Sequence, residues 1–276
     1  MYSQFEQAMA SAASSENKQY QDAFDVHEAR KHFPGLNHDA VAFNNAHESV
    51  VLQECIDAVA NEMASYPFEL GSDDPRAIKR EDTLTQHRAE LAAFMNADGD
   101  EIAFGQTTTL LLRTQDQALR AKMDSDSEMI VSLLKHEASA NSWLALADSL
   151  GIKIKWWAPP PGDNPTLSVD TLRPLLTSKT RIVACNHVSN VVGTIHPIRQ
   201  VADLVHTIPG AILVDGVSYA PHRPIDVKAL DADFYSFSWY KVYGPHIAQL
   251  YGKRELQKSL VTHISHFFLS EWPGFD

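Results

Sequence analysis

Two cysteines, Cys55 and Cys185, are all that 276 residues contain. That is too few for a disulfide framework, and the pair is too isolated for a structural zinc site, so a reducing cytoplasm is the simplest home. No apolar run approaches the roughly 18 residues that span a bilayer. The opening MYSQFEQAMASAASSENKQYQ lacks the basic and apolar regions of a secretion signal. It also has no arginine before Arg30 and contains Glu6 and Glu16, which speaks against a mitochondrial transit peptide. Residues 1–20 read as a disordered leader. Positive charge is scarce too: 23 Lys and Arg against 35 Asp and Glu leave a formal net charge of -12. Nucleic acid and anionic membranes both demand clustered basic residues, so neither is an expected partner, and small-molecule chemistry fits better.

Several familiar motifs are missing or incomplete. No G-x-G-x-x-G opens a helix after a strand and no G-x-x-x-x-G-K-[ST] occurs, which removes a Rossmann dinucleotide site and a P-loop. His263 and His266 stand three apart with no third ligand near. Thirteen histidines make such pairs common by chance, so they read as solvated helix residues and no metal site is expected. Ser238-Trp239-Tyr240-Lys241 spells S-x-x-K, but its S-D-N and K-T-G partners are absent. Gly216-Val217-Ser218-Tyr219-Ala220 nearly spells a nucleophile elbow, yet Pro221 and Pro224 deny it the helix that an elbow must enter.

What is present is a rhythm. Residues 49–65 and 76–95 carry apolar side chains at helical spacing, with Pro67 and Pro75 between them. From residue 101, short β-branched runs alternate with helical stretches: EIAF then TTTLLLRTQDQALRAKM, EMIVSLL then ASANSWLALADSL, IKIKWW then SVDTLRPLL, RIVAC then PIRQVADLVH. AILVD, DFYSFS and HIAQLY follow. This predicts an α/β fold, a mostly parallel sheet with helices on both faces, and APPPGDNP at 158–165 reads as a surface loop within it. Ligands of such sheets sit beyond the carboxyl ends of the strands. Thr107 to Thr109, His136, Asn186 to Asn190, Asp215 and Ser238 to Lys241 all stand there.

Asp215 at a strand end and Lys241 within the aromatic run FYSFSWYKVYGPH form a pair that suits a pyridine cofactor. Pyridoxal phosphate needs an amine for its aldehyde, a carboxylate for its ring nitrogen and donors for its phosphate. Phe237, Trp239, Tyr240 and Tyr243 around the lysine predict partial desolvation and a lowered pKa. A lone strand-end lysine would more ordinarily snorkel to solvent, so the weight rests on its companions.

At this point the run HVSNVVGTIHPIRQVADLVHTIPGAILVDGVSYAPHRPIDVKALDADFYSFSWYKVYGPHIAQLYG resembles the class V aminotransferase family, in its cysteine desulfurase-like branch. The likeness extends back through LKHEASANSW and FGQTTT to FPGL at Phe33. It implies the aspartate aminotransferase-like large domain over residues 21–276, a homodimer, pyridoxal phosphate as cofactor and an amino acid as substrate. Lys241 matches the Schiff-base lysine and Asp215 the partner of the pyridine nitrogen. His136 matches the histidine that stacks on the ring, and Asn190 the asparagine that bonds the phenolic oxygen. Thr108 and Thr109 match the phosphate-binding pair at a helix start, where free N–H groups favour an anion. Ser238 matches a phosphate-binding serine. Taken singly, these residues read as a core histidine, a turn residue, N-caps and a strand serine.

The pattern also departs from the family. Many relatives carry a histidine before the lysine and a glutamine three after the aspartate, where this chain has Tyr240 and Ser218. Both keep a hydroxyl, Tyr240 for the phosphate and Ser218 for the phenolic oxygen at closer range or through water. The family continues into a C-terminal small domain that brings a persulfide-forming cysteine and a carboxylate-binding arginine, whereas EWPGFD closes this sequence, so that domain is expected to be absent. Losing the arginine would remove a charge-assisted pair of roughly 1.5–3 kcal/mol. Two readings follow: an enzyme acting on an amino acid by β-elimination of sulfur or related Cα or Cβ chemistry, or a catalytically impaired paralogue that binds cofactor or a partner without turnover.

Overall fold

The structure, a computed structural model, describes residues 25–36, 41, 44–65, 67, 71–162 and 165–260. The leader and the pair His263 and His266 lie outside the described residues. The chain divides into two compact units, one of residues 1–44 and 50–65, the other of residues 45–49 and 66–276. The smaller unit holds helices α1 (Val26–Lys31) and α2 (Gln53–Ala64). Asp25 caps α1 through the N–H groups of His27 and Glu28, and the Gln53 N–H donates to the His32 carbonyl at 2.8 Å.

The larger unit is built on a seven-stranded sheet. Its strands are β1 (Ile102–Gly105), β2 (Glu128–Ser132), β3 (Lys153–Trp157), β4 (Thr180–Asn186), β5 (Ala211–Asp215), β6 (Phe234–Ser238) and β7 (Ala248–Gly252). They lie in the order β1-β7-β6-β5-β4-β2-β3. The five strands from β6 to β3 run parallel, while β7 pairs antiparallel with both β6 and β1. A short return loop is enough to reach β7 from β6, whereas each parallel pair needs a crossover. The crossovers among β2 to β6 carry α5 (Glu137–Leu150), α6 (Val169–Leu172), α7 (Ile198–Val205) and α8 (Val227–Leu230); α4 (Thr108–Leu119) leads from β1 to β2, with α3 (Pro75–Ala93) before the sheet and α9 (Arg254–Gln257) after it. The stretch SVDTLRPLL yields only the four residues of α6 and a 3-10 turn, because Pro174 cannot donate to an α-helical ladder.

Side-chain alternation splits the core in two. Ile130, Val183, Cys185, Ile212, Val214, Tyr235 and Phe237 pack with α7 and the end of α3 on one face. Met129, Val131, Ile182, Ala184, Leu213 and Phe234 pack with α4 and α5 on the other. Strands covered on both faces read as continuous apolar runs, as RIVAC and AILVD do. No helix of the described residues is long and apolar enough to cross a membrane.

Candidate active site

The polar residues after the apolar runs gather at the carboxyl ends of the parallel strands. Lys241 closes a 3-10 turn, Trp239–Lys241, directly after β6. It is 8% exposed, and its Nζ donates to the Ala46 carbonyl at 2.6 Å. Burial lowers its pKa, and the Asp215 carboxylate opposes that shift. The segment 45–49 lies across this turn. The Ser49 N–H and hydroxyl both donate to the Tyr240 carbonyl, at 3.1 and 2.7 Å, and the Tyr243 N–H donates to Ser49 Oγ at 3.0 Å.

Asp215 ends β5 with 8% exposure, and its Oδ1 accepts the Val217 N–H at 3.1 Å. The chain then makes a single turn in which the Tyr219 and Ala220 N–H groups donate to the Gly216 carbonyl. Only glycine fits at 216, since a Cβ there would stand 2.0 Å from Cε1 of Tyr235. That close approach turns the backbone away after Asp215 and leaves its carboxylate at the strand end.

The start of α4 supplies an anion-binding end. Thr107 is its N-cap and accepts the Leu110 N–H at 3.1 Å, so Thr108 and Thr109 are the first helical residues. Thr108 is buried, and its hydroxyl meets the buried Ser238 hydroxyl at 2.6 Å. The free N–H groups of a twelve-residue helix and two adjoining hydroxyls make this end suited to an anion.

The other predicted residues stand around this centre. His136 is exposed and caps α5, its Nδ1 accepting the Ala138 N–H at 3.2 Å. Asn190 is half-buried in the turn before Gly193, whose φ is +71°. Ser218 is half-buried in the turn after Asp215. Tyr240 is half-buried, stacked on the His246 ring at 5.2 Å, and His246 Nε2 lies 3.0 Å from Glu48 Oε1. Thr108 and Ser238 are thus brought into contact, and Lys241 and Asp215 into electrostatic reach. Among the described residues, His136, Asn190 and Ser218 make no hydrogen bond to either. No cluster of three or more His, Cys, Asp or Glu suited to a metal occurs among them.

The model of the class-V aminotransferases matches residues 42–266. The chain belongs to that family. It is 67% identical over 248 residues to the nonribosomal peptide synthetase-like enzyme fsqF of Aspergillus fumigatus, covering 90% of this chain and 17% of that protein. It is 50% identical to the cysteine desulfurase-like protein ustD of Aspergillus flavus, over 91% of this chain and 58% of that protein. The crystal structure of the cysteine desulfurase CsdA from Escherichia coli superposes with a TM-score of 0.76 at 29% identity, covering 86% of this chain and 60% of that one. The chain therefore spans less than two thirds of each of these proteins. Class-V aminotransferases work with pyridoxal phosphate, and the α/β fold described above is that of the cysteine desulfurases.

Around this cluster stand residues that sequence reading passed over. Lys135 is half-buried with its Nζ 5.9 Å from the Trp143 ring centroid. Burial brings its pKa down to about 8 against the pull of Asp215. His187 is buried, stacks face to face on Tyr219 at 3.6 Å and meets the Tyr235 hydroxyl through Nδ1 at 2.9 Å. Burial foremost, with His196 adding to it, holds its pKa down at about 4. His187 falls in the polar run after RIVAC, which was its only signal. Ala46 had none, since it contributes a backbone atom.

Proposed function

We propose that residues 21–276 carry the cofactor-binding domain of a pyridoxal-phosphate enzyme that acts on an amino acid through Lys241. The observation that carries this reading is the buried Lys241 amine of lowered basicity, within electrostatic reach of the buried Asp215. The residues fit the group: an amine, a carboxylate at a strand end and a hydroxyl pair at a helix start match an aldehyde, a ring nitrogen and a phosphate.

When bound, the cofactor supplies an electron sink for a carbanion next to the substrate nitrogen. Lys241 would hold the aldehyde carbon through Nζ, and the same amine, when free, would take up the Cα proton. Asp215 keeps a proton on the ring nitrogen. Thr108, Thr109, Ser238 and Tyr240 would hold the phosphate, His136 would face the ring, and Asn190 and Ser218 would serve the phenolic oxygen. The words cysteine desulfurase in the names of ustD and CsdA favour a sulfur-containing amino acid as substrate, and the reaction we assign is β-elimination of sulfur or related Cα or Cβ chemistry. A homodimer in the cytoplasm completes the reading, and sedimentation of the cofactor-loaded protein measures its subunit count.

Borohydride reduction after incubation with cofactor, followed by peptide mapping, tests the centre of this proposal. A pyridoxyl adduct on Lys241, lost in Lys241→Ala, is expected, and an unmodified Lys241 peptide overturns it. Addition of cysteine and other amino acids should then shift the visible band and release product. A band that stays fixed with every amino acid would favour a cofactor-binding protein without turnover.

A further inference from the structure

Asp215 is the middle of a polar row laid across the sheet. Strand register places Asn186 of β4 and Ser236 of β6 directly beside it, one on each side. Residues in register on neighbouring parallel strands point to the same face, here the face covered by α4 and α5. All three are buried, at 3%, 8% and 1% exposure. Both flanking side chains carry a buried polar atom without a hydrogen-bond partner among the described residues: Asn186 Oδ1 and Ser236 Oγ.

The two flanks are not equivalent. Asn186 Nδ2 donates to the carbonyls of Leu134 and Val188, at 2.9 and 3.0 Å, which fixes the amide and leaves only an acceptor toward the row. Asn186 therefore has no proton to offer Asp215. Ser236 keeps its hydroxyl proton, and Ser238, two residues along the same strand face, is already engaged with Thr108. Neighbouring strands lie about 4.8 Å apart, a gap that a serine hydroxyl and an aspartate carboxylate span with one turn of χ1. On the Asp215 carboxylate itself, Oδ1 already accepts the Val217 N–H.

We infer that Ser236 is a positioning residue for the cofactor's ring nitrogen, its hydroxyl donating to the Asp215 carboxylate when that carboxylate engages the ring. The hydroxyl orients the carboxylate and moderates its basicity, so the residue acts through Asp215 and touches no substrate. A packing role alone would not call for an unpaired hydroxyl at this depth, because alanine would fill the same place without burying a polar atom. This inference rests on the proposed role of Asp215, and its test separates the two.

The variants are Ser236→Ala and Ser236→Thr, and the probes are pyridoxal phosphate and its 1-deaza analogue, in which a C–H replaces the ring nitrogen. Ser236→Ala should weaken binding of pyridoxal phosphate by about 10–150-fold, the range expected for one hydrogen bond to a charged acceptor. It should leave affinity for the deaza analogue unchanged, and the cofactor-free protein should melt no lower than the parent. Ser236→Thr, which restores the hydroxyl, should recover the affinity. Equal affinity of parent and Ser236→Ala for pyridoxal phosphate overturns the inference, as does an equal loss for both probes, which would mark a packing role. If parent protein does not distinguish the two probes, Asp215 does not hold the ring nitrogen and the underlying reading fails instead.

Discussion

At Gly216 a single hydrogen atom decides the site. A Cβ would sit 2.0 Å from the Tyr235 ring and 2.4 Å from its hydroxyl, and Tyr235 is fully buried and bonded to His187, so it cannot swing aside. Gly216→Ala should therefore destabilise the protein by about 1–3 kcal/mol or more, as overpacking does, and misdirect Asp215. Urea unfolding and cofactor titration measure both effects. Tyr235→Leu in the same chain should return part of the stability, and strictly additive losses would show that the two residues do not clash. Lys241 has its own local prediction. Its Nζ is held by the Ala46 carbonyl across 195 residues of sequence, so Ala46→Pro, which perturbs that backbone, should slow adduct formation at Lys241 in stopped-flow absorbance. An unchanged rate would mean that the 45–49 segment does not present the amine.

At the scale of elements, α4 combines the helix start proposed for the phosphate with a buried acid. Asp116 is 4% exposed, and burial raises its pKa to about 6. Its folded-state value lies above the ordinary one, so folding favours the neutral form. The penalty is full above pH 6 and fades as pH falls through the carboxylate range. Asp116→Asn keeps the acceptor that Gln117 Nε2 uses at 2.8 Å and removes the charge. It should raise the melting temperature at pH 7.5 and do so much less at pH 4, and an equal gain at both would assign the effect to packing. Most elements were legible in sequence because each strand is a short apolar run closed by polar residues. Thr107 at the N-cap of α4 was legible as part of a threonine run, though which threonine caps was not. Direction was hidden in β7, where HIAQLY looks like any buried strand but runs antiparallel to both neighbours. Burial on two faces gives the same pattern whichever way a strand points.

At the scale of the whole molecule, two buried histidines among the described residues make stability depend on acid. His187 and His196 both have values held down at about 4 by burial, His187 also by its neighbour. Each binds a proton more readily when unfolded. Their stabilising neutrality is complete above pH 6.5 and is lost as pH falls toward 4, so the melting temperature should drop across that window. Asp116 opposes the trend in the same range with a single group. His196→Asn should flatten the profile, and a parent profile level from pH 6.5 to 4.5 would contradict it.

Sequence by itself determined the alternating elements, the family likeness and the residues at strand ends, because local periodicity and motif order are written along the chain. Lys241, Asp215 and Thr108 were named on that basis. Strand order was decided only in three dimensions. That order sets Asn186 and Ser236 on either side of Asp215, and the tertiary packing brings Thr108 to Ser238 across 130 residues and lays the Ala46 carbonyl on Lys241. The physical reason is that a hydrogen bond depends on distance between atoms, and which strands become neighbours follows from packing the whole sheet against its helices rather than from any repeat in the sequence.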